Sequence, residues 1–213
     1  MTPQTAKVLD VTDESAAVLA VEQITAGEVI VIPTDTIYGL TANAESAAAV
    51  KRLYGIKGRD LSKPSAIFLG SVAAIARYAE IEHEYADLII RKFLPGPLTV
   101  VLRSKITDLP GVVTPDGKVG IRVSSDEFVK SLVETAGAPL IATSANRSGQ
   151  PDPCSVDELV NLFSTQVPLI LTRESSIEAI ATTVVDLTEP EPRLLREGTI
   201  AFADLLKPQE GEG

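Results

Sequence analysis

Val29-Ile30-Val31-Ile32-Pro33-Thr34-Asp35-Thr36-Ile37-Tyr38-Gly39-Leu40 places four consecutive β-branched apolar residues before a proline and a cluster of small hydroxyl side chains. A run without polar alternation reads as a strand buried on both faces, and Pro33 ends it. The hydroxyl residues then emerge at the strand end, in a turn that contains Gly39.

Periodic segments flank this run. Asp13 to Thr25 repeats apolar residues at helical spacing, and Gly27 supplies a stop. Ser46 heads a second helix whose Val50, Leu53 and Tyr54 share a face, with Gly55 and Gly58 at its termination. Further helices are predicted over Val72 to Tyr78, Glu84 to Phe93, the stretch around Phe128 to Ala136, and Ser155 to Phe163, where Ser155 and Glu158 form a capping box. Strands are predicted at Thr99 to Leu102, Val119 to Val123, Leu140 to Ala142, Leu169 to Leu171, Thr183 to Asp186 and Leu194-Leu195. Strands and helices mix without strict alternation. The expectation is an α/β domain, a twisted mixed β-sheet with helices packed against it.

At 213 residues and 45% hydrophobic content the chain can build one large core, and residues 1–206 read as a single domain. Residues 207–213 read as a disordered acidic tail. A net charge of −10 argues against broad binding to nucleic acid or an anionic membrane. One cysteine, Cys154, allows neither an intrachain disulfide nor a thiolate metal cluster. The N-terminus lacks the pattern of a secretory signal and no apolar run spans a bilayer, so a cytoplasmic location is expected.

Three stretches concentrate chemistry. The first is the strand end at Thr34 to Thr36. In the second, Lys51, Arg52, Lys57, Arg59 and Lys63 oppose only Asp60, a local charge of +4 suited to a polyphosphate. The third, Thr143-Ser144-Ala145-Asn146, puts hydroxyl and amide groups at another apolar strand end, where α/β sheets bind ligands. Arg122, set between Ile121 and Val123, must meet an anion or leave the core, and Arg196 after Leu194-Leu195 has the same character. No phosphate-binding glycine signature occurs, and the only histidine, His83, starts a polar helix. Histidine-based triads and multi-histidine metal sites are therefore excluded, which leaves positioning and charge neutralisation as the means of catalysis.

Taken together, Pro33 to Leu40, Lys57-Gly58-Arg59 with Lys63-Pro64, Leu94-Pro95-Gly96-Pro97-Leu98-Thr99, Val119 to Arg122, Thr143 to Asn146, Thr183 to Asp186 and Arg196-x-Gly198 resemble, in this order, the YrdC-type threonylcarbamoyl-AMP synthase family. The resemblance runs from about Gly27 to Gly198 and implies a single YrdC-like catalytic domain. It implies condensation of L-threonine, bicarbonate and ATP to threonylcarbamoyl-AMP and pyrophosphate, for tRNA N6-threonylcarbamoyladenosine. The family signature falls on Lys57, Arg59, Ser144 and Asn146 as catalytic residues. ATP contacts fall on Arg59, Lys63, Ser144 and Arg196, and threonine contacts on Thr36, Arg122 and Ala142. Mg²⁺ is expected to arrive with ATP, with no metal ligands from protein side chains, and the product would pass to the threonylcarbamoyl-transferase machinery acting on tRNA. Direct nucleic-acid binding is expected to be weak or absent; the rival reading is a double-stranded RNA or tRNA-binding module of the same fold. The chain departs from the family pattern at Asp60, Phe68, Asp152 and Thr182.

Overall fold

A computed structural model describes residues 5–107, 109–173 and 181–207. In chain order the elements are β1 (Lys7–Asp10), α1 (Ala16–Thr25), β2 (Ile30–Ile32), β3 (Gly39–Thr41), α2 (Ala47–Lys57), β4 (Ala66–Phe68), α3 (Ile75–Tyr78), β5 (Ala79–Glu80) and α4 (Glu84–Phe93). There follow β6 (Leu98–Ser104), β7 (Lys118–Arg122), α5 (Glu127–Ala136), β8 (Leu140–Ser144), α6 (Val156–Phe163), β9 (Leu169–Thr172), β10 (Thr183–Asp186), β11 (Arg193–Arg196) and α7 (Phe202–Leu205). The strands join in the order β1-β9-β2-β3-β8-β4-β7-β6-β10-β11, with β5 added at the end of β6. Pairings β1/β9, β2/β9, β4/β7 and β6/β10 are parallel and the others antiparallel, so the sheet is mixed, as expected.

The unbroken apolar run of β2 feeds both faces. Val29 and Val31 enter one apolar cluster with Leu53, Ile67, Ile90, Ile141 and Phe163, while Ile30 and Ile32 enter a second with Ala20, Ile24, Leu132 and Leu140. Strand period two sorts neighbours to opposite faces, which makes the molecule three layers deep. On the second face α1 and α5 lie over the half of the sheet that runs from β9 to β8. Beyond it, the same-face positions Thr99, Val101, Gly120, Arg122, Val184 and Asp186 belong to neither apolar cluster. The site lies in that uncovered half.

Local chemistry fixes the helix ends. Ser46 Oγ accepts from Ala49 N at 3.3 Å to start α2, and Gly58 ends it with φ +63°. Gly55 lies inside α2 and does not mark its termination. The Ser155 hydroxyl accepts from Glu158 N, but Glu158 returns to Cys154 N at 2.8 Å and not to Ser155. The segment expected as one helix from Val72 is a 3₁₀ turn, Val72–Ala74, followed by α3. Of the expected tail, only Lys207 lies within the described residues.

One correction matters for the site. Gly39 and Leu40 are not turn residues; they open β3, which pairs with both β2 and β8. A Cβ at Gly39 would meet Thr143 O at 3.2 Å, so glycine permits the close strand approach. Gly198 is more constrained: a Cβ there would stand 2.1 Å from Ala181 O and 2.5 Å from the Thr182 carbonyl carbon. Its N–H donates to Thr183 Oγ1 at 2.9 Å, which lays the chain after β11 directly on the start of β10. Gly198→Ala is expected to lower stability by at least about 2 kcal/mol in urea denaturation, because backbone must move to admit the methyl group. An unchanged midpoint would contradict so tight an approach.

Candidate active site

The uncovered half of the sheet holds a cavity of about 230 Å³. Among its lining residues are Thr36, Arg59, Arg122, Ala142, Ser144 and Arg196, six of the nine residues singled out in the sequence. Strand ends β2, β7 and β8 and the loop after α2 converge there because β8 pairs with β3 on one side and β4 on the other.

Arg122 is 6% exposed and has found its anion within the protein. Its Nη2 donates to Asp35 Oδ1 and, at 2.8 Å, to Thr36 Oγ1. Asp35 also accepts from Ser124 Oγ at 2.7 Å and Ser125 Oγ at 3.2 Å. The guanidinium stacks on the Phe68 ring, 5.2 Å from its centroid. Burial pushes the guanidinium pKa below its ordinary value, and the Asp35 charge and hydrogen bond oppose that push. Arg122 Nε remains buried with no partner. The ion pair therefore leaves the Nε–H unspent.

Lys57 is not in a polar loop. It is the last residue of α2 and 3% exposed. Its Nζ lies 2.6 Å from Ser144 O, 3.3 Å from Ser144 Oγ, 3.2 Å from Asn146 O and 2.6 Å from Asn146 Oδ1. Three ammonium protons among four acceptors leave nothing for a ligand. Neither Lys57 nor Asn146 is among the cavity-lining residues. The ammonium instead fixes the end of β8, and Ser144 Oγ completes the knot by donating to Asn146 Oδ1 at 2.8 Å.

The two remaining guanidiniums are anchored by carbonyl groups. Arg59 donates from Nε to Lys63 O at 2.9 Å and from Nη2 to Pro64 O at 3.1 Å. Arg196 donates to Thr182 O from both Nε and Nη2, at 3.1 and 3.0 Å, and to Thr182 Oγ1 at 2.9 Å. Thr182 Oγ1 lies 3.2 Å from Thr99 Oγ1, another cavity hydroxyl. Desolvation lowers the Arg196 pKa, Asp152 opposes that shift, and the like charge of Arg59 adds to it. No carboxylate pairs with Arg59 or Arg196 within 4 Å among the described residues. Two cations held by neutral groups favour an incoming anion.

The basic stretch from Lys51 to Lys63 does not form one surface. Arg52 pairs with Glu28 and Lys57 is buried. Lys63 is exposed and outside the cavity lining, its carbonyl serving Arg59 and Tyr54 Oη. His83 is half-buried at the N-cap of α4, its Nε2 3.3 Å from Thr188 O. Cys154 is exposed in a loop. Sequence reading passed over Asp35 as the Arg122 partner and gave Thr182 no role beyond a departure. The demand of a strand arginine for an anion was the available signal, but not the identity of that anion.

An open-faced mixed sheet with guanidiniums around a hydroxyl-lined cavity defines an α/β protein with a cationic cavity suited to an anion. The family model for Sua5/YciO/YrdC, described as telomere recombination, matches residues 22–198. A Pyrococcus abyssi protein named threonylcarbamoyl-AMP synthase is 35% identical over 85% of this chain and 53% of its own, so the chain spans about half the length of that relative. A Methanocaldococcus jannaschii relative is 33% identical over 87% of each chain. Among solved structures, P. abyssi Sua5 complexed with L-threonine superposes with a TM-score of 0.84 at 31% identity, over 94% of this chain and 60% of that one. Escherichia coli YciO does so with 0.82 at 25% identity, over 91% and 96%. This chain belongs to the Sua5/YciO/YrdC family.

Two expectations follow. Burial lowers the Lys57 pKa from its ordinary 10.5 to about 8, with Arg59 adding to the shift and Asp152 opposing it. The folded state thus gives up this proton before the unfolded chain does. The penalty of burying the ammonium is fully present below pH 8 and fades as pH rises towards 10.5, so this group's share of stability becomes more favourable across that window. Titration of the Lys57 ¹³Cε resonance is expected to show a midpoint near 8; one above 10 would show that its oxygen acceptors offset the cost of burial. Separately, Asp35→Ala strips a buried cation of its anion and is expected to cost about 3–5 kcal/mol in urea denaturation. A loss below about 1 kcal/mol would show that Arg122 does not need the pair.

Proposed function

We propose that this chain condenses L-threonine, bicarbonate and ATP to threonylcarbamoyl-AMP, releasing pyrophosphate, and that the adenylate serves tRNA threonylcarbamoylation. The observation that carries the reading is the single cavity that brings Thr36, Arg122 and Ser144 together with the unpaired guanidiniums of Arg59 and Arg196. Membership of the family, with a threonine-bound relative of the same fold, supports threonine as the amine substrate.

The chemistry fits a site without a histidine base. The threonine amine takes up bicarbonate carbon with loss of water to give an N-carboxylate. That oxygen attacks the α-phosphorus, the bond to the β-phosphate oxygen breaks, and pyrophosphate leaves. The attacking oxygen already carries charge, so positioning and charge stabilisation suffice. In this reading the Thr36 hydroxyl and the Arg122 guanidinium receive the threonine carboxylate. Arg59 and Arg196 face the triphosphate, and Ser144 stands between the two substrates. Lys57 and Asn146 act by holding Ser144, and Lys63 through its carbonyl on Arg59. Mg²⁺ would enter with ATP and offset its charge; among the described residues no group of three or more histidine, cysteine or carboxylate side chains forms a cage for it. The nucleic-acid reading loses part of its support, because Lys57 is buried and Arg52 is paired with Glu28 at the surface.

No helix of the described residues is long and apolar enough to cross a membrane. A cytoplasmic setting and hand-over to a tRNA-modifying transferase are part of the same proposal. Pyrophosphate release is expected to require threonine and bicarbonate together with ATP. Arg59→Ala is expected to reduce it at least about 100-fold with melting unchanged, the loss of roughly 3 kcal/mol of charge stabilisation. Equal release without threonine would sink the assignment.

A further inference from the structure

We propose that Arg173 is a positioning residue for the amino-acid end of the cavity, an inference that rests on reading that end as the threonine site. Arg173 directly follows β9 and is not among the residues that line the cavity. It nonetheless joins the two chain segments that carry Thr36 and Arg122.

The first connection runs through Asp126. The guanidinium meets the Asp126 carboxylate with two nitrogens, Nη1 on Oδ2 and Nη2 on Oδ1, the second at 3.0 Å. The Asp126 side chain is 4% exposed, and its Oδ1 also accepts from Phe128 N at 2.9 Å and Val129 N at 3.4 Å at the start of α5. A forked contact of this kind fixes direction as well as distance. Asp126 N in turn donates to Ser124 Oγ at 3.2 Å, and the single hydroxyl proton of Ser124 goes to Asp35 Oδ1 at 2.7 Å. Asp35 is the anion that holds Arg122 Nη2.

The second connection uses the backbone of the same residue. Arg173 N donates to Tyr38 Oη at 3.2 Å, and Tyr38 Oη donates to Arg173 O at 3.4 Å. Tyr38 lines the cavity, and its carbonyl accepts from Ala145 N at 2.8 Å, next to Ser144. One residue at the end of β9 is thereby tied to the segment after β2 and to the segment after β7, strands that do not pair with each other. The spacing of these segments sets whether Thr36 and Arg122 can meet one carboxylate together, so Arg173 acts on amino-acid affinity without touching the ligand. Arg59 and Arg196 are anchored on Lys63, Pro64 and Thr182, outside this set of contacts, and the nucleotide end is therefore indifferent to it.

The test is steady-state pyrophosphate release by the full chain, with threonine and ATP titrated separately, in the parent, Arg173→Ala, Arg173→Lys and Asp126→Asn. Arg173→Ala is expected to raise the KM for threonine at least about tenfold and to leave that for ATP within about twofold of the parent. Asp126→Asn keeps a side chain able to cap α5 but loses the charge that receives the fork, and is expected to show the same split. Arg173→Lys keeps a cation without the fork and is expected to recover part of the threonine affinity. Should Arg173→Ala fold poorly, the two KM values of Asp126→Asn decide. A threonine KM unchanged in Asp126→Asn would reduce the pair to helix capping and overturn the proposal, as would equal rises for both substrates. A parent protein whose release does not depend on threonine would overturn this proposal and the synthase reading together.

Discussion

A guanidinium cannot lie inside a sheet unless an anion meets it, and the contact between Arg122 and Asp35 answers that constraint. Asp35 follows β2 and Arg122 ends β7, strands that β3, β8 and β4 separate in the sheet. Their pairing closes the strand ends around the cavity. It also explains the hydroxyl-rich composition there, because Thr36, Ser124 and Ser125 supply hydrogen bonds that a buried pair needs in addition to its Coulomb attraction.

Charge in the site is divided by role. Lys57 is spent on the end of β8, while Arg122 is tied to the β2 to β3 connection and still lines the cavity. Arg59 and Arg196 are held by carbonyl groups and keep their charge for a ligand. This separates residues that shape the cavity from those that face it. A mutation of Lys57 accordingly acts through Ser144 and Asn146 before it acts through any phosphate.

Much of this was legible in the sequence because the signals were local. The apolar run at Val29 to Ile32 marked the central strand, and Gly58 and Gly137 marked helix ends that adopt φ of +63° and +66°. Hydroxyl residues at the ends of β2 and β8 marked the cavity. What the sequence did not disclose depends on long-range pairing. Gly39-Leu40 has a turn's composition, yet it becomes a strand because partners lie on both sides. Ala66 to Phe68 is too short for periodicity and is fixed by β7 and β8. Lys57, in a basic cluster, reads as a surface cation, and only the fold reveals four acceptors around it.

The central claim is that one cavity receives an amino acid and a nucleotide side by side. A crystal structure of the chain with L-threonine and a non-hydrolysable ATP analogue tests it most directly. The account predicts the threonine carboxylate within hydrogen-bond reach of Thr36 and Arg122, and the triphosphate against Arg59 and Arg196. Both ligands bound away from these side chains, or a nucleotide seated where threonine is assigned, would contradict it.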